Sequence, residues 1–449
     1  MKETYEQFSA LIKENYKISS DLYPKYDVKR GLRNADGTGV LVGLTKIGNV
    51  HGYIKDECDK IPDEGCLRYR GVDVADIVNN CRRDNRFGYE EAAYLLLFGK
   101  LPTKARLESF KNLLDANRNL PDGFTEDMIL KAPSGDIMNK LARSVLASYS
   151  YDDNPDDTSI ENMLRQSIEL IARFPTMVAH AYQAKLHYYD KKSLIIHYPK
   201  AGLSTAENFL SMLRPDKKYT PLEARVLDTA LIIHAEHGGG NNSAFTAHVV
   251  SSSGTDTYSA IAAAVGSLKG PKHGGANNKV VSMMEEIEAN VSDWKNKDEV
   301  YNYLVKILKK EAFDRSGLIY GMGHAIYTKS DPRALLLKAQ AKELAEDKGF
   351  MDEFNLYSLI EELTPDAFYN VRKNTKPMCA NVDLFSGFVY KMLRIPKELY
   401  TPIFAISRVS GWCAHRIEEV ITGGKIIRPA YKSVSQKTEY VPIDERNNA

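Results

Sequence analysis

The sequence predicts a mostly α-helical protein built from two domains. Apolar residues recur with the three- and four-residue spacing of a buried helix face in almost every long segment. Alternation typical of a strand is convincing only near the N-terminus, in VLVGLTKIG (40–48) and LRYRGVDV (67–74), and both stretches are too short to build a large sheet. At roughly 100 to 200 residues per domain, a length of 449 residues allows two or three domains, of which two are expected.

Start and stop signals bound the predicted helices. EEAAYLLLFGKLPT (90–103) has an apolar face followed by Gly99 and Pro102, which predict the end of a helix. The segment 220–236 opens with Pro221 at a plausible first helical position and an acid in the first turn. Its apolar stripe contains Val226, Ala230 and Ile233.

A third helix is predicted in TDTYSAIAAAVGSLKGP (255–271). Thr255 or Asp256 provides its N-terminal cap, and Gly270 and Pro271 end it. One face of this helix carries Tyr258, Ile261, Ala262, Val265 and Leu268.

Composition is that of an ordinary soluble globular protein. Lys and Arg number 60 against 59 Asp and Glu, giving a net charge of +1, and 43% of residues are hydrophobic. This balance predicts neither a nucleic-acid partner nor an anionic membrane surface. The N-terminal MKETYEQFSALIKENYK (1–17) resembles neither a secretory signal nor a transit peptide. The charge-poor stretch 244–268 is rich in small residues, which favours closely packed buried helices over a membrane span.

The cysteines predict reduced thiols and a cytoplasmic location. They are odd in number and form no CxxC pair, so neither a disulfide framework nor a zinc ribbon is indicated. The five are Cys58, Cys66, Cys81, Cys379 and Cys413.

Four segments in the C-terminal half each put a reactive side chain at a break in a helix. In HAEHGGGNNSAFTAHVV (234–250) a helix is predicted to end at His237 before a glycine-rich turn. In GPKHGGANN (270–278) His273 lies between one helix end and a helix that Asn277 can cap. A histidine just before a helix start feels the positive end of the dipole, which favours a neutral ring able to donate a hydrogen bond.

The other two segments supply a histidine, an arginine and a carboxylate. GLIYGMGHAIYTKSDPRALLLKAQ (317–340) surrounds His324 with glycines, and Asp331 and Pro332 read as the cap and first residue of a helix that displays Arg333. In CANVDLFSGFVYKML (379–393) Asp383 precedes an apolar helix face. Apolar neighbours raise a carboxyl pKa, so Asp383 is a candidate general base.

Each residue alone has a simpler explanation. A single histidine is usually a surface or satisfied core residue, and Asp331 or Asp383 could be only a helix cap. His234 and His237 could bind a metal, but the spacing is not HExxH and no third ligand follows at a characteristic distance. The run 238–240 is not GxGxxG, which argues against a nucleotide site.

Taken together, the four segments resemble the citrate synthase family in order, spacing and local sequence. The resemblance is carried by the paired-histidine region 237–277, by GMGHAIYTKSDPR and by NVDLFSG, and it continues through SRVSGWCAHRIEE and IIRPAY. It implies an all-α fold with a large helical domain (1–274 and 391–449) and a smaller mobile helical domain (275–390). The stretch before about Leu41 carries no functional signal.

The resemblance implies an acyltransferase of the citrate (Si)-synthase type. Acetyl-CoA would be enolised, would add to oxaloacetate, and the resulting thioester would be hydrolysed to citrate and CoA. It implies catalytic roles for His273, His324 and Asp383, and oxaloacetate contacts from His237, Asn241, Arg333, Arg408 and Arg428. Leu318, Gly321 and Gly323 would lie near the coenzyme.

The resemblance also bears on cofactors and partners. No permanently bound cofactor or metal is expected, because the coenzyme A thioester is itself a substrate. A homodimer is expected, with Arg428 lent across the interface. A 2-methylcitrate synthase using propionyl-CoA would show nearly the same motifs, since one methyl group in a pocket discriminates by only about 1 to 3 kcal/mol. A non-catalytic binding subunit of the same fold is the other alternative.

Overall fold

The protein is mostly helical, as predicted. The structure is a computed structural model that describes residues 17–34, 36–56, 59–373 and 377–446 and positions 6, 9, 10 and 12. The α-helices are α1 (Leu22–Lys25), α2 (Val74–Arg83), α3 (Tyr89–Phe98), α4 (Lys104–Asn117), α5 (Ile137–Ser148), α6 (Ile160–Tyr188), α7 (Thr205–Leu213), α8 (Pro221–His234), α9 (Asn242–Ser251), α10 (Thr257–Lys269), α11 (Ala276–Asn290), α12 (Lys297–Leu308), α13 (Pro332–Lys348), α14 (Met351–Arg372), α15 (Val382–Met392) and α16 (Tyr400–Thr422). Short 3-10 or π turns occur at Arg30–Leu32, Thr125–Leu130, Tyr149–Tyr151, Lys397–Leu399 and Ile443–Glu445.

One small antiparallel sheet lies near the N-terminus. β1 (Gly48–Asp56) pairs with β2 (Asp59–Tyr69), and β2 pairs with β3 (Val72–Asp73). The strand predicted at 67–74 is therefore confirmed as the end of β2 plus β3. The strand predicted at 40–48 is wrong, because this stretch forms no strand before Gly48; Leu41, Val42 and Leu44 are exposed to solvent, whereas Ile47 is buried in the core.

The predicted helix boundaries are largely confirmed. α3 ends at Gly99, whose φ of 77° is the left-handed value that glycine adopts at low cost. α8 begins at Pro221 with a capping box between Thr220 and Glu223. The side chain of Asp256 caps α10.

Three local predictions were wrong. α8 ends at His234 rather than His237, because the chain turns there into the glycine-rich loop. Gly275, not Asn277, occupies the N-cap of α11; the Asn277 amide instead donates to the buried Ser386 hydroxyl. Asp383 lies inside the first turn of α15, which is capped by Asn381.

The core is organised around α16, which packs against α3, α6, α8, α9 and α10. α9 and α10 approach each other closely through small residues, as expected; Ala244, Ala247, Ala260 and Ala264 are all at most 1% exposed. α11 and α13 both pack against α15, and α13 also contacts α8.

Two further predictions concern the chain as a whole. Four cysteines are free thiols, namely Cys66, Cys81, Cys379 and Cys413, and Cys58 lies outside the described residues. Within the described part of the chain, every helix is too short or too polar to cross a membrane.

Candidate active site

The loop between α12 and α13 carries His324 and is hydrogen-bonded to the residues that precede and cap α15. The amide of Gly323 donates to the Cys379 carbonyl at 2.8 Å, and the amide of Asn381 donates to the Gly321 carbonyl at 2.8 Å. Gly321 adopts a φ of 85°, and a Cβ there would lie 3.0 Å from the backbone of Leu384. These contacts place His324 beside the helix turn that carries Asp383.

The β1–β2 hairpin supports the same loop from the other side. A Cβ on Gly52 would come within 2.7 Å of the Tyr327 Cα. The Asp63 amide donates to the Thr328 hydroxyl at 3.1 Å, and the Gly65 amide donates to the Ser330 hydroxyl at 3.0 Å. The small sheet thus positions residues more than 260 positions away in the sequence.

His324 is a neutral ring with a defined tautomer. The amides of Ile326 and Tyr327 donate to Nδ1 at 3.0 and 3.1 Å, so Nδ1 presents a lone pair and the proton is on Nε2. Burial, followed by the positive charge of Arg333, lowers the pKa of His324 to about 4. At neutral pH its Nε2–H is an uncharged hydrogen-bond donor.

His237 lies next to His324, with ring centroids 5.3 Å apart. Its Nε2 is 3.2 Å from the Tyr327 hydroxyl. Burial, and then the charge of Arg333, lower the pKa of His237 well below its ordinary value. This second ring is therefore also neutral.

His273 is the third neutral histidine. Burial, and then the charge of Arg408, lower its pKa to about 4. Its Nε2 is 3.1 Å from the Ser243 hydroxyl, which accepts from Trp412 Nε1 at 3.0 Å and donates to Asn241 Oδ1 at 2.9 Å; the single Ser243 proton can turn to His273 Nε2 instead. Ser243 therefore engages Nε2 and leaves Nδ1 for a ligand; Nδ1 carries the proton when Ser243 donates to Nε2.

The pKa of the Asp383 carboxyl suits a general base. It is half-buried in the first turn of α15. Burial raises its pKa to about 6, although the positive charge of Arg333 opposes the shift. A carboxyl with this pKa is ionised at neutral pH yet basic enough to accept a proton.

Two buried guanidinium groups lie near the histidines and differ in their pairing. Arg333 donates to both oxygens of Asp331, at 3.0 and 2.8 Å. Arg408 is 0% exposed and donates from Nε to the His234 carbonyl at 2.6 Å, but among the described residues its Nη1 and Nη2 have no hydrogen-bond partner. Burial lowers the pKa of Arg408 to about 10. Unpaired buried donors are costly, so these two nitrogens are set up to receive an anion.

The remaining predicted residues are placed less centrally. Asn241 caps α9 and touches the site through Ser243. Leu318 is 48% exposed, and the backbone groups of Gly321 and Gly323 are engaged by residues 379–381. Arg428 is exposed in the irregular tail after α16.

Sequence reasoning missed two groups in this site and the role of a third, Asp331, which was interpreted only as a helix cap. Tyr327, Ser243 and the carboxylate that holds Arg333 all contact predicted residues. Tyr327 lies three positions after His324 inside a quoted motif, so its signal was present. Ser243 had no signal, because its partner His273 is 30 residues away.

Neutral donors beside buried cations and a carboxyl of raised pKa define a helical enzyme that can carry out acid–base chemistry on an anionic substrate. The family model described as "Citrate synthase, C-terminal domain" matches residues 35–430. The chain therefore belongs to the citrate synthase family.

Individual relatives agree with this assignment. The citrate synthase of Haloferax volcanii is 33% identical over 425 residues, covering 94% of this chain and 99% of the relative. The 2-methylcitrate synthase 1 of Corynebacterium glutamicum is 32% identical, covering 93% and 98%.

The solved ternary complex of carboxymethyl coenzyme A and oxaloacetate with citrate synthase from Thermoplasma acidophilum superimposes on this chain with a TM-score of 0.75 and 26% identity, covering 93% of this chain and 99% of the solved one. The fold is thus the all-α citrate synthase fold, and this chain contains one small sheet among its helices. The chain is an acyltransferase of this family.

Proposed function

We propose that the protein is a citrate synthase, which condenses acetyl-CoA with oxaloacetate and water to give citrate and CoA. The observation that carries this proposal is the fully buried Arg408, which has two nitrogens without a hydrogen-bond partner among the described residues and whose charge helps to lower the pKa of His237 and His273. A buried cation with free donors favours a small anionic substrate, and oxaloacetate is a dianion.

Substrate binding would use fixed cations. Arg408 offers two parallel donors to one carboxylate, and Arg333, already oriented by Asp331, provides the second positive charge. His237 and Asn241 would supply neutral contacts. Arg428 would come from the partner subunit of a homodimer, which agrees with its exposed position in the tail.

Enolisation would follow from the contrast between Asp383 and His273. Asp383, with a pKa of about 6, would take a proton from the acetyl methyl group. His273 would donate from Nδ1 to the thioester oxygen while Ser243 donates to Nε2. A neutral donor aimed at an oxygen that gains charge stabilises the transition state more than the bound substrate.

Carbon–carbon bond formation would use His324. Its Nε2–H, fixed by the two amides on Nδ1, would polarise the ketone of oxaloacetate and protonate the developing alkoxide. Water would then cleave the citryl thioester and release CoA. The coenzyme would lie near the loop of Leu318, Gly321 and Gly323.

Closure of the smaller domain (275–390) over the larger one would shield the enol from water. The backbone hydrogen bonds between the His324 loop and the start of α15 support this closure, because they make His324 and Asp383 move together. We also propose that the enzyme is cytoplasmic, which agrees with the free thiols of the described chain.

A 2-methylcitrate synthase is the second candidate, favoured by a relative of that name at 32% identity against 33% for a citrate synthase. The experiment measures CoA release from acetyl-CoA and from propionyl-CoA, each with and without oxaloacetate. We expect oxaloacetate-dependent release that favours acetyl-CoA. Preference for propionyl-CoA would reassign the substrate, and no release from either would support the non-catalytic alternative.

A further inference from the structure

A second cluster of histidines and carboxylates lies behind the loop that carries His237. His248 on α9 and His415 on α16 face each other, with His248 Nε2 3.0 Å from His415 Nδ1. The outer nitrogen of each ring is held by a carboxylate: His248 Nδ1 lies 2.7 Å from Glu419, and His415 Nε2 lies 3.0 Å from Glu236.

The hydrogen-bond pattern of these two histidines and two carboxylates requires a positive charge between the rings that the four groups themselves do not supply. An ionised carboxylate only accepts hydrogen bonds, so each outer nitrogen must carry its ring's proton. The two inner nitrogens of neutral rings then present lone pairs to each other at 3.0 Å, which is repulsive. A cation between the rings removes the repulsion.

A third ligand atom is at hand in Glu418. Its Oε2 is buried, has no hydrogen-bond partner among the described residues, and lies 3.9 Å from His415 Nδ1. One ligand atom from each of His248, His415 and Glu418 can be chosen so that all three lie within 4.8 Å of one another. Zn–N bonds of 2.0 to 2.1 Å at a tetrahedral angle place two nitrogens about 3.3 Å apart, so the rings need to separate by only a few tenths of an ångström.

We propose that His248 Nε2, His415 Nδ1 and Glu418 Oε2 bind a divalent transition-metal ion of the Zn²⁺ class, with water as a fourth ligand. Two imidazoles and one carboxylate suit such an ion. Glu419 and Glu236 then act as the carboxylates that orient metal-bound histidines through their other ring nitrogen.

The position of the site indicates a structural role. A Cβ on Gly239 would lie 3.5 Å from His248 Nε2, and Glu236 also accepts from the Gly238 amide. The ion would therefore hold α9, α16 and the glycine-rich loop together, directly behind His237. Sequence spacing gives no hint of this site, because His248 and His415 are 167 positions apart.

The test uses the untagged full chain, dialysed against a chelator and then titrated with Co²⁺, whose tetrahedral complexes absorb visible light. We expect one Co²⁺ per chain, displaced by Zn²⁺. His248→Gln should abolish the absorption band. Glu419→Gln, at a partly exposed site, should weaken binding by about 10- to 100-fold while the far-UV circular dichroism is retained. His187→Gln is the matched control, because His187 contacts the Lys192 carbonyl and the Tyr188 ring and no member of this cluster, so the variant should bind Co²⁺ like the wild type.

Two results would overturn the proposal. The first is wild-type binding that is less than stoichiometric or lacks the tetrahedral spectrum, in which case a proton shared between the rings supplies the missing charge. The second is stoichiometric binding that persists in both His248→Gln and Glu419→Gln.

Discussion

Replacing Arg408 by methionine tests whether this residue binds the substrate or only stabilises the fold. The pKa of Arg408 is about 10 instead of 12.5, mainly through burial, so the folded protein disfavours its charge by roughly 3.5 kcal/mol, at about 1.4 kcal/mol per tenfold change in the proton equilibrium. Methionine relieves this cost but loses the Nε hydrogen bond to the His234 carbonyl, worth about 1.5 to 3 kcal/mol. We therefore expect the free energy of unfolding without substrate to change by no more than about 2 kcal/mol.

Substrate binding should respond very differently. Two charge-assisted hydrogen bonds from Nη1 and Nη2, at about 1.5 to 3 kcal/mol each, amount to at least about 3 kcal/mol. Loss of both should weaken oxaloacetate binding by more than about 100-fold. Urea unfolding measures the stability, and isothermal titration calorimetry measures the affinity.

Arg416→Met is the matched control for this experiment. Arg416 is also buried on α16, but its three nitrogens donate to Thr257, Ser251 and Thr255. Its removal should destabilise the fold by about 3 kcal/mol or more, since it leaves buried acceptors unpaired. If Arg408→Met destabilises the protein as strongly as Arg416→Met and still binds oxaloacetate, the reasoning about unpaired donors is refuted.

Three further predictions concern the catalytic groups. Asp383→Asn should keep oxaloacetate binding but lower kcat by at least about 100-fold, because the amide cannot accept the methyl proton; stopped-flow CoA release measures this, and near-normal turnover would contradict the base assignment. Ser243→Ala should lower kcat by about 10-fold, because one hydrogen bond to His273 is lost, with little change in oxaloacetate affinity. An unchanged kcat would show that Ser243 does not set the His273 tautomer. The kcat/KM for acetyl-CoA should fall as pH drops through about 6, where Asp383 becomes protonated, whereas His273 and His324 stay neutral down to about 4; a profile flat to pH 5 would contradict the pKa of the base.

Local sequence signals predicted the helices well because caps and stops act within a few residues. The Thr220 capping box and the turn at Gly99 are examples. The strand prediction at 40–48 failed because its apolar residues find no partner strand, and sequence alternation alone does not reveal a partner.

Long-range contacts could not be predicted in the same way. The support of Tyr327 by the hairpin glycine Gly52 joins segments more than 270 positions apart. The burial of Arg408 with two unpaired nitrogens also depends on packing by several helices. Such features follow from tertiary structure, whereas the order of the four motifs is visible in the sequence.

The most direct test of the central claim is the fate of the acetyl carbons. Acetyl-CoA labelled with ¹³C in both acetyl carbons would be incubated with oxaloacetate and the protein, and the products analysed by mass spectrometry. The account predicts doubly labelled citrate, formed one for one with free CoA. Labelled acetate in place of citrate, or no labelled product at all, would contradict carbon–carbon bond formation at this site.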